Sequence, residues 1–231
     1  MKNLILFSLL LMVACSPPGT AEPSEFPLAK GTTWVYTYQA YEPAPSDPTQ
    51  TIEATYQLTE RIIETETASP YFVAHVKKDY QLIKADPGWT DDIASNQPGE
   101  SWYIVKDHKL FESRAPFDVN NIDTDAFLLA YEFPLTLSKS WCWPQLDLKD
   151  PNHKEITSCE FAGKRMVTNQ GHYQTPAGTF DHCYELTDYS NGGNVIHWFC
   201  QGVGIVFMKF DHAGTRFGFE QTLMSYRKEK P

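Results

Sequence analysis

The sequence predicts an all-β protein, or a β-rich one with a single short helix, built from antiparallel meanders. Three observations carry this. Runs rich in Val, Ile, Thr, Tyr, Phe and Trp recur along the 231 residues, bounded by Gly, Pro, Asn and Asp. Aromatic residues make up 14% and hydrophobic residues 42% of the chain, which is ample material for a core. Asn191-Gly192 interrupts an extended stretch as a two-residue hairpin turn does.

The elements follow in chain order. Residues 1–14 read as a signal segment: Lys2 supplies a positive start, and "LILFSLLLMV" is an apolar run too short to span a bilayer comfortably. Met12-Val13-Ala14-Cys15 resembles a bacterial lipobox, with Cys15 as the lipidated residue and a membrane as the partner held through that lipid. Residues 15–25, rich in Pro, Ser and Glu, read as a tether. Residues 26–227 form a single β-rich domain.

Within it, strands are expected over 33–41, 52–65, 71–80, "SWYIVKD", "KLFES", 155–167, both arms of the 183–200 hairpin, 204–210 and 217–227. Loops are expected at 42–50 and 85–100, and Asp211-His212-Ala213-Gly214 turns the chain between the last two strands. The one helix expected is 121–133, with Asp123 as its N-cap.

His182 to Gly204 holds two cysteines and two histidines, and so could be a zinc site, a reactive thiol or a stapled hairpin. Placing Asn191 and Gly192 in a type I′ turn pairs Ser190 with Gly193. Every cross-strand pair then sums to 383, which sets Cys183 opposite Cys200. Pair types alternate outward from the turn, so the cysteines fall at a non-hydrogen-bonded pair with Cα atoms about 4.5 Å apart, inside the disulfide range. Side chains alternate faces along a strand, so His182 and His197 point away from the sulfurs, against a tetrahedral Cys₂His₂ site. A turn centred on Gly192-Gly193 would break this register. With Cys15 set aside, four cysteines remain, and Cys142 pairs with Cys159 by elimination.

"FPLAKGTTW" (26–34) and "FPLTLSKSW" (133–141) share four anchors at an offset of 107 residues. Either a duplicated meander, with halves 26–132 and 133–227, or coincidence accounts for them. Phe26-Pro27-Leu28 with Gly31 and Trp34, then "TPAGTFDHC" (175–183), "HWFCQGVGIV" (197–206) and "DHAGTRFGFEQTLMSY" (211–226), resemble an uncharacterised family of bacterial lipoproteins. That resemblance implies an extracytoplasmic curved antiparallel sheet or half-barrel akin to lipoprotein-carrier domains. It transfers no catalytic residue.

The net charge of −10 argues against nucleic acid or an anionic membrane surface as partner. No nucleophile elbow, zinc-protease, P-loop or dinucleotide motif occurs, so neither a cofactor, a metal nor an enzymatic activity is predicted. Asp91-Asp92 and Asp123-x-Asp125 lack the spacing of a calcium loop and read as solvated carboxylates. His197 and His212, each a lone histidine on a strand, read as packed or surface residues. The aromatic excess remains. If the sheet curves, Trp34, Trp102, Tyr184 and Trp198 are candidates to bind an apolar or sugar-like small molecule; the alternative is that such rings fill the core of a sheet with few covering helices. The expected function is a lipid-anchored, non-enzymatic, extracytoplasmic protein that binds such a molecule. The alternatives are docking to another envelope protein and, less favoured, a hydrolase.

Overall fold

The computed structural model describes residues 25–90, 99–122, 127–143, 163–190 and 192–229. The signal segment, Cys15, Asp91, Asp92, Asp123, Asp125, Cys159 and Asn191 lie outside the described residues, as do most of the tether and the first part of the 155–167 strand.

Twelve strands form one antiparallel sheet: β1 (Thr33–Ala44), β2 (Asp47–Ala68), β3 (Tyr71–Ala85), β4 (Glu100–Lys106), β5 (Lys109–Ser113), β6 (Leu128–Glu132), β7 (Ser140–Trp143), β8 (Gly163–Thr175), β9 (Gly178–Ser190), β10 (Gly193–Cys200), β11 (Gly204–His212) and β12 (Gly218–Arg227). Their order is β6-β5-β4-β3-β2-β1-β12-β11-β10-β9-β8-β7, which curls into a nearly closed barrel with β6 and β7 at the seam. Curling is what a sheet this wide does to bury one face.

Two expectations fail. Residues 128–132 form β6 rather than the end of a helix, and no helix occurs among the described residues. "LLAYE" is a short apolar run, and such a run does not distinguish strand from helix by periodicity. Here the partner decides: β6 supplies the ladder that β5 lacks on its outer side. The stretch 42–50 is also no loop. β1 and β2 continue as a ribbon, with Glu42 opposite Ile52 and Pro43 opposite Thr51. β12 ends opposite Tyr41, so at Pro43 the strand is an edge and its missing N–H costs no ladder bond there.

The cysteine hairpin keeps the register read from the sequence. β9 and β10 pair from Ser190 with Gly193 out to Cys183 with Cys200, which are disulfide-bonded with Cα atoms 4.0 Å apart. Cys142 is also disulfide-bonded.

Each of the segments 26–132 and 133–227 contributes six consecutive strands, and their entries match in detail. Gly31 N–H donates to the Ile62 carbonyl at 2.8 Å, and Ser138 N–H to the Val167 carbonyl at 2.9 Å. Thr32 N–H donates to Ala29 and Lys139 N–H to Thr136, both at 3.0 Å. Gly31 and Ser138 both have positive φ, at 91° and 68°. A bulge falls between Ile62 and Glu64 against β3, and another between Val167 and Asn169 against β9. Trp34 and Trp141 are both buried, as are the Phe and Leu of each Phe-Pro-Leu.

One end of the barrel is filled. Phe26 stacks on Phe199 with centroids 5.8 Å apart and meets Tyr103 edge-on at 5.3 Å. Trp34, Ile62, Val76, Leu186 and Leu223 complete this plug, all 2% exposed or less. Each such side chain contributes about 1.5–3 kcal/mol by leaving water.

Candidate functional site

The other end is hollow. Several strands carry a plug residue and, two positions further along the same face, a residue that lines a cavity. The pairs are Tyr36 and Tyr38 on β1, Ile62 and Glu60 on β2, Val76 and Lys78 on β3, Val167 and Arg165 on β8, Leu186 and Asp188 on β9, Phe199 and His197 on β10, and Leu223 and Gln221 on β12. The cavity measures about 540 Å³. Tyr80, Val195, Met208, Phe210 and Phe219 form its upper wall.

Two ion-pair groups stand on its floor. Arg165 lies opposite Asp188 in the β8–β9 ladder and holds it through two N–H donors, Nε and Nη2, both at 2.5 Å. Its Nη1 donates at 2.5 Å to the carbonyl of Ala130 on edge strand β6, linking the two sides of the seam. The guanidinium also sits 5.3 Å from the Tyr131 ring centroid. Burial raises the Asp188 pKa above the usual carboxylate value, and Arg165 pulls it part of the way back. Burial alone would lower Arg165; Asp188 outweighs it, and the guanidinium stays charged.

The second group is Lys78, 3.6 Å from both Glu60 and Glu112. Burial lowers the Lys78 pKa, but the two carboxylates more than offset this and leave it raised. Glu60 faces Lys78 in the β2–β3 ladder as Arg165 faces Asp188 in the β8–β9 ladder. Each pair sits two residues from the corresponding bulge. The two hairpins therefore place an ion pair at the same position with opposite polarity.

Neutral polar groups complete the floor. His197 is 0% exposed, and neither ring nitrogen has a hydrogen-bond partner among the described residues. Leaving such a group unpaired costs about 1–3 kcal/mol. Burial first, and the Arg165 charge second, push the His197 pKa well down, so its imidazole is neutral. Its ring meets Tyr131 edge-on at 5.8 Å. Burial raises the phenols of Tyr38, Tyr80, Tyr103 and Tyr131, which keeps them protonated.

The four aromatic candidates lie elsewhere. Trp34 belongs to the plug, its indole N–H donating to the Val203 carbonyl at 2.7 Å. Trp102 stacks on His75 at 4.6 Å, and Trp198 on Tyr173 at 4.8 Å. Tyr184 borders a recess of about 30 Å³, room for little more than water. None of the four lines the large cavity. The residues that do line it have a sequence signal of their own. Glu60 follows Tyr56 and Leu58 in the apolar phase of β2, Lys78 follows Ala74 and Val76, and Gln221 stands between Phe219 and Leu223. A polar residue in the buried phase of an alternating strand marks an interior polar site.

The geometry defines a nearly closed twelve-stranded antiparallel barrel, plugged at one end and hollow at the other. No protein-family model matches the chain, and no curated protein matches it. Among solved structures it is similar to a candidate lipoprotein from Parabacteroides distasonis, at 14% identity over 89% of this chain and 99% of that one, with a TM-score of 0.44. It is similar to a candidate exported protein with a YmcC-like fold from Bacteroides fragilis, at 13% identity over 89% and 100% of the two chains, with a TM-score of 0.45. A hypothetical protein from Chlamydia trachomatis shares 8% identity over 88% and 92%, with a TM-score of 0.32. Likeness at this level leaves the fold and the site to rest on the geometry above.

Proposed function

We propose that this chain is an exported, lipid-anchored protein that holds a small molecule in the hollow end of its barrel and does no chemistry on it. The observation that carries the reading is the cavity of about 540 Å³, within the size range of small-molecule sites. Export is supported by the signal segment, the lipobox-like Met12 to Cys15 and the Cys183–Cys200 disulfide. A binding rather than a catalytic role is supported by the lining. Its Arg165 and Lys78 are engaged by carboxylates, and the residues described there include no serine, threonine or cysteine. Of the apolar or sugar-like molecules that the aromatic excess suggests, the lining favours one with polar groups, because ion pairs and a buried imidazole share the wall with the rings. The exposed apolar side chains that a docking role would use, such as Ile83, Ile196 and Met224, are spread over separate strands.

Two measurements test this. Full-length chain exported to an oxidising compartment and analysed by native mass should carry a stoichiometric non-covalent adduct that denaturation releases. A bare chain rules out the binding reading. An alkyne fatty acid should label the wild type, and Cys15→Ser should lose both the label and the membrane fraction. A Cys15→Ser chain that still sediments with membranes rules out the anchor.

A further inference from the structure

We propose that the cavity takes an uncharged small molecule bearing a hydroxyl or amide group, and that His197 and Gln221 are the side chains that hydrogen-bond it. This rests on the binding reading above and names the ligand's chemistry.

The first argument is charge. Three carboxylates line the cavity, Glu60, Glu112 and Asp188, and three cations, Lys78, Arg114 and Arg165. Lys78 is held by Glu60 and Glu112, and Arg165 by Asp188. The lining is thus balanced. At the buried ions a charged ligand would give up its hydration and then have to compete with a partner already in place; Arg114, which has no ion pair among the described residues, is exposed to water.

The second argument is the pair of neutral polar side chains beside those ions. The imidazole of His197, wholly buried in the cavity wall, offers one N–H donor and one bare nitrogen acceptor, and neither has a partner among the described residues. Gln221, 7% exposed, lines the same wall and brings a carboxamide with both functions. His197 pairs with Met208, and Met208 with Gln221, so the two polar groups flank one thioether along a single row of the sheet. They stand two strands apart, roughly 10 Å. A hydroxyl or an amide can both donate and accept, and so satisfies either residue. A hydrocarbon would leave the buried imidazole unpaired and offer the carboxamide nothing to bond. The third argument is the flat wall above them. Tyr38 stacks on Phe219 at 5.0 Å, and Phe210 lies against Phe219 at 5.9 Å, giving apolar faces for the ligand's skeleton.

The test uses the exported full-length chain. Molecules released on denaturation are identified and counted by accurate mass for the wild type, His197→Leu, Gln221→Leu and His197→Gln. The expected result is one uncharged oxygen- or nitrogen-bearing molecule from the wild type. It should fall at least tenfold in each leucine variant and be retained in His197→Gln, which keeps a donor and an acceptor. A carboxylate, a phosphate ester or a plain hydrocarbon overturns the ligand class while leaving the binding reading intact. Equal release from the leucine variants overturns the assignment of His197 and Gln221. No release from any form overturns the binding reading and this inference together. Where a leucine variant does not fold, the ¹⁵N resonances of the His197 ring in the wild type, before and after the ligand is stripped, decide the point. They must shift, and unchanged resonances overturn the contact.

Discussion

His197 shows what a single residue can cost and report. It is buried beside Arg165, Asp188 and Tyr131, and its imidazole stays neutral when the fold is intact. In the unfolded chain it titrates near its ordinary value of about 6.5. Its folded pKa is depressed, so the stability linked to it is complete above about 6.5 and is lost as pH falls from there toward the folded value. The slope is one proton, about 1.4 kcal/mol per pH unit. Asp188 acts with the opposite sign, because its raised folded pKa lets the native state take up a proton first as pH falls toward the carboxylate range. Urea unfolding of the wild type between pH 7 and pH 5 should therefore show a falling midpoint. His197→Gln removes the titrating group and should flatten that interval. An equal fall in both proteins would place the acid sensitivity elsewhere.

At the scale of elements, the β9–β10 hairpin and the two ion-paired hairpins each make a prediction. The Cys183–Cys200 bond exists because a two-residue turn sets the register. Deleting Gly192 should shift every pair by one and leave both thiols open to alkylation, while Cys183→Ser with Cys200→Ser should lower stability by roughly 3 kcal/mol. Deletion of Gly192 with the bridge intact would mean that the turn does not set the register. The pairs Glu60–Lys78 and Arg165–Asp188 place opposite polarities on one backbone geometry. Breaking the second with Asp188→Ala strands a buried guanidinium, at about 3–5 kcal/mol. The reversal of Arg165→Asp with Asp188→Arg should recover about half of that, since the β2–β3 ladder already holds an acid on its first strand and a base on its second. It should not recover all, because Arg165 also bonds the Ala130 carbonyl. Thermal melts of the wild type, Asp188→Ala and the double variant decide this, and no recovery would show that the ladder position does not tolerate both signs. These elements also show what the sequence made legible. The hairpin was readable because turn chemistry and alternation are local. The strand at 128–132 was not, because its partner β5 lies outside any local window, and the ribbon at 42–50 was not, because its Pro-rich composition reads as a loop although it pairs within its own hairpin.

At the scale of the molecule, closure of the sheet creates the site, and closure is a long-range property. Trp34, Trp102, Tyr184 and Trp198 could be read as strand aromatics, but which of the barrel's spaces each would border depends on curvature and register shifts summed over twelve strands. Glu60, Lys78 and Gln221 carried a signal in their phase that an eye drawn to aromatics passes over. The same long-range character governs stability. The two six-strand segments meet along the β1–β12 ladder, which runs from Thr33 with Arg227 to Tyr41 with Gly218. Each also reaches into the other's turns. Gly202 N–H donates to the Glu25 carbonyl at 2.8 Å, and Phe133 N–H to the His108 carbonyl at 2.8 Å. Phe199 of the second segment packs on both Phe26 and Tyr131 of the first. Separating the segments would open two long strand edges and split the aromatic plug, so neither keeps a core of its own. The barrel should therefore unfold in one step, with calorimetric and van't Hoff enthalpies equal. Segments 26–132 and 133–227 expressed apart should show no cooperative melt. Two resolved transitions, or a cooperative melt from either segment alone, would mean that each half is a domain and that the cavity lies between two independently stable units.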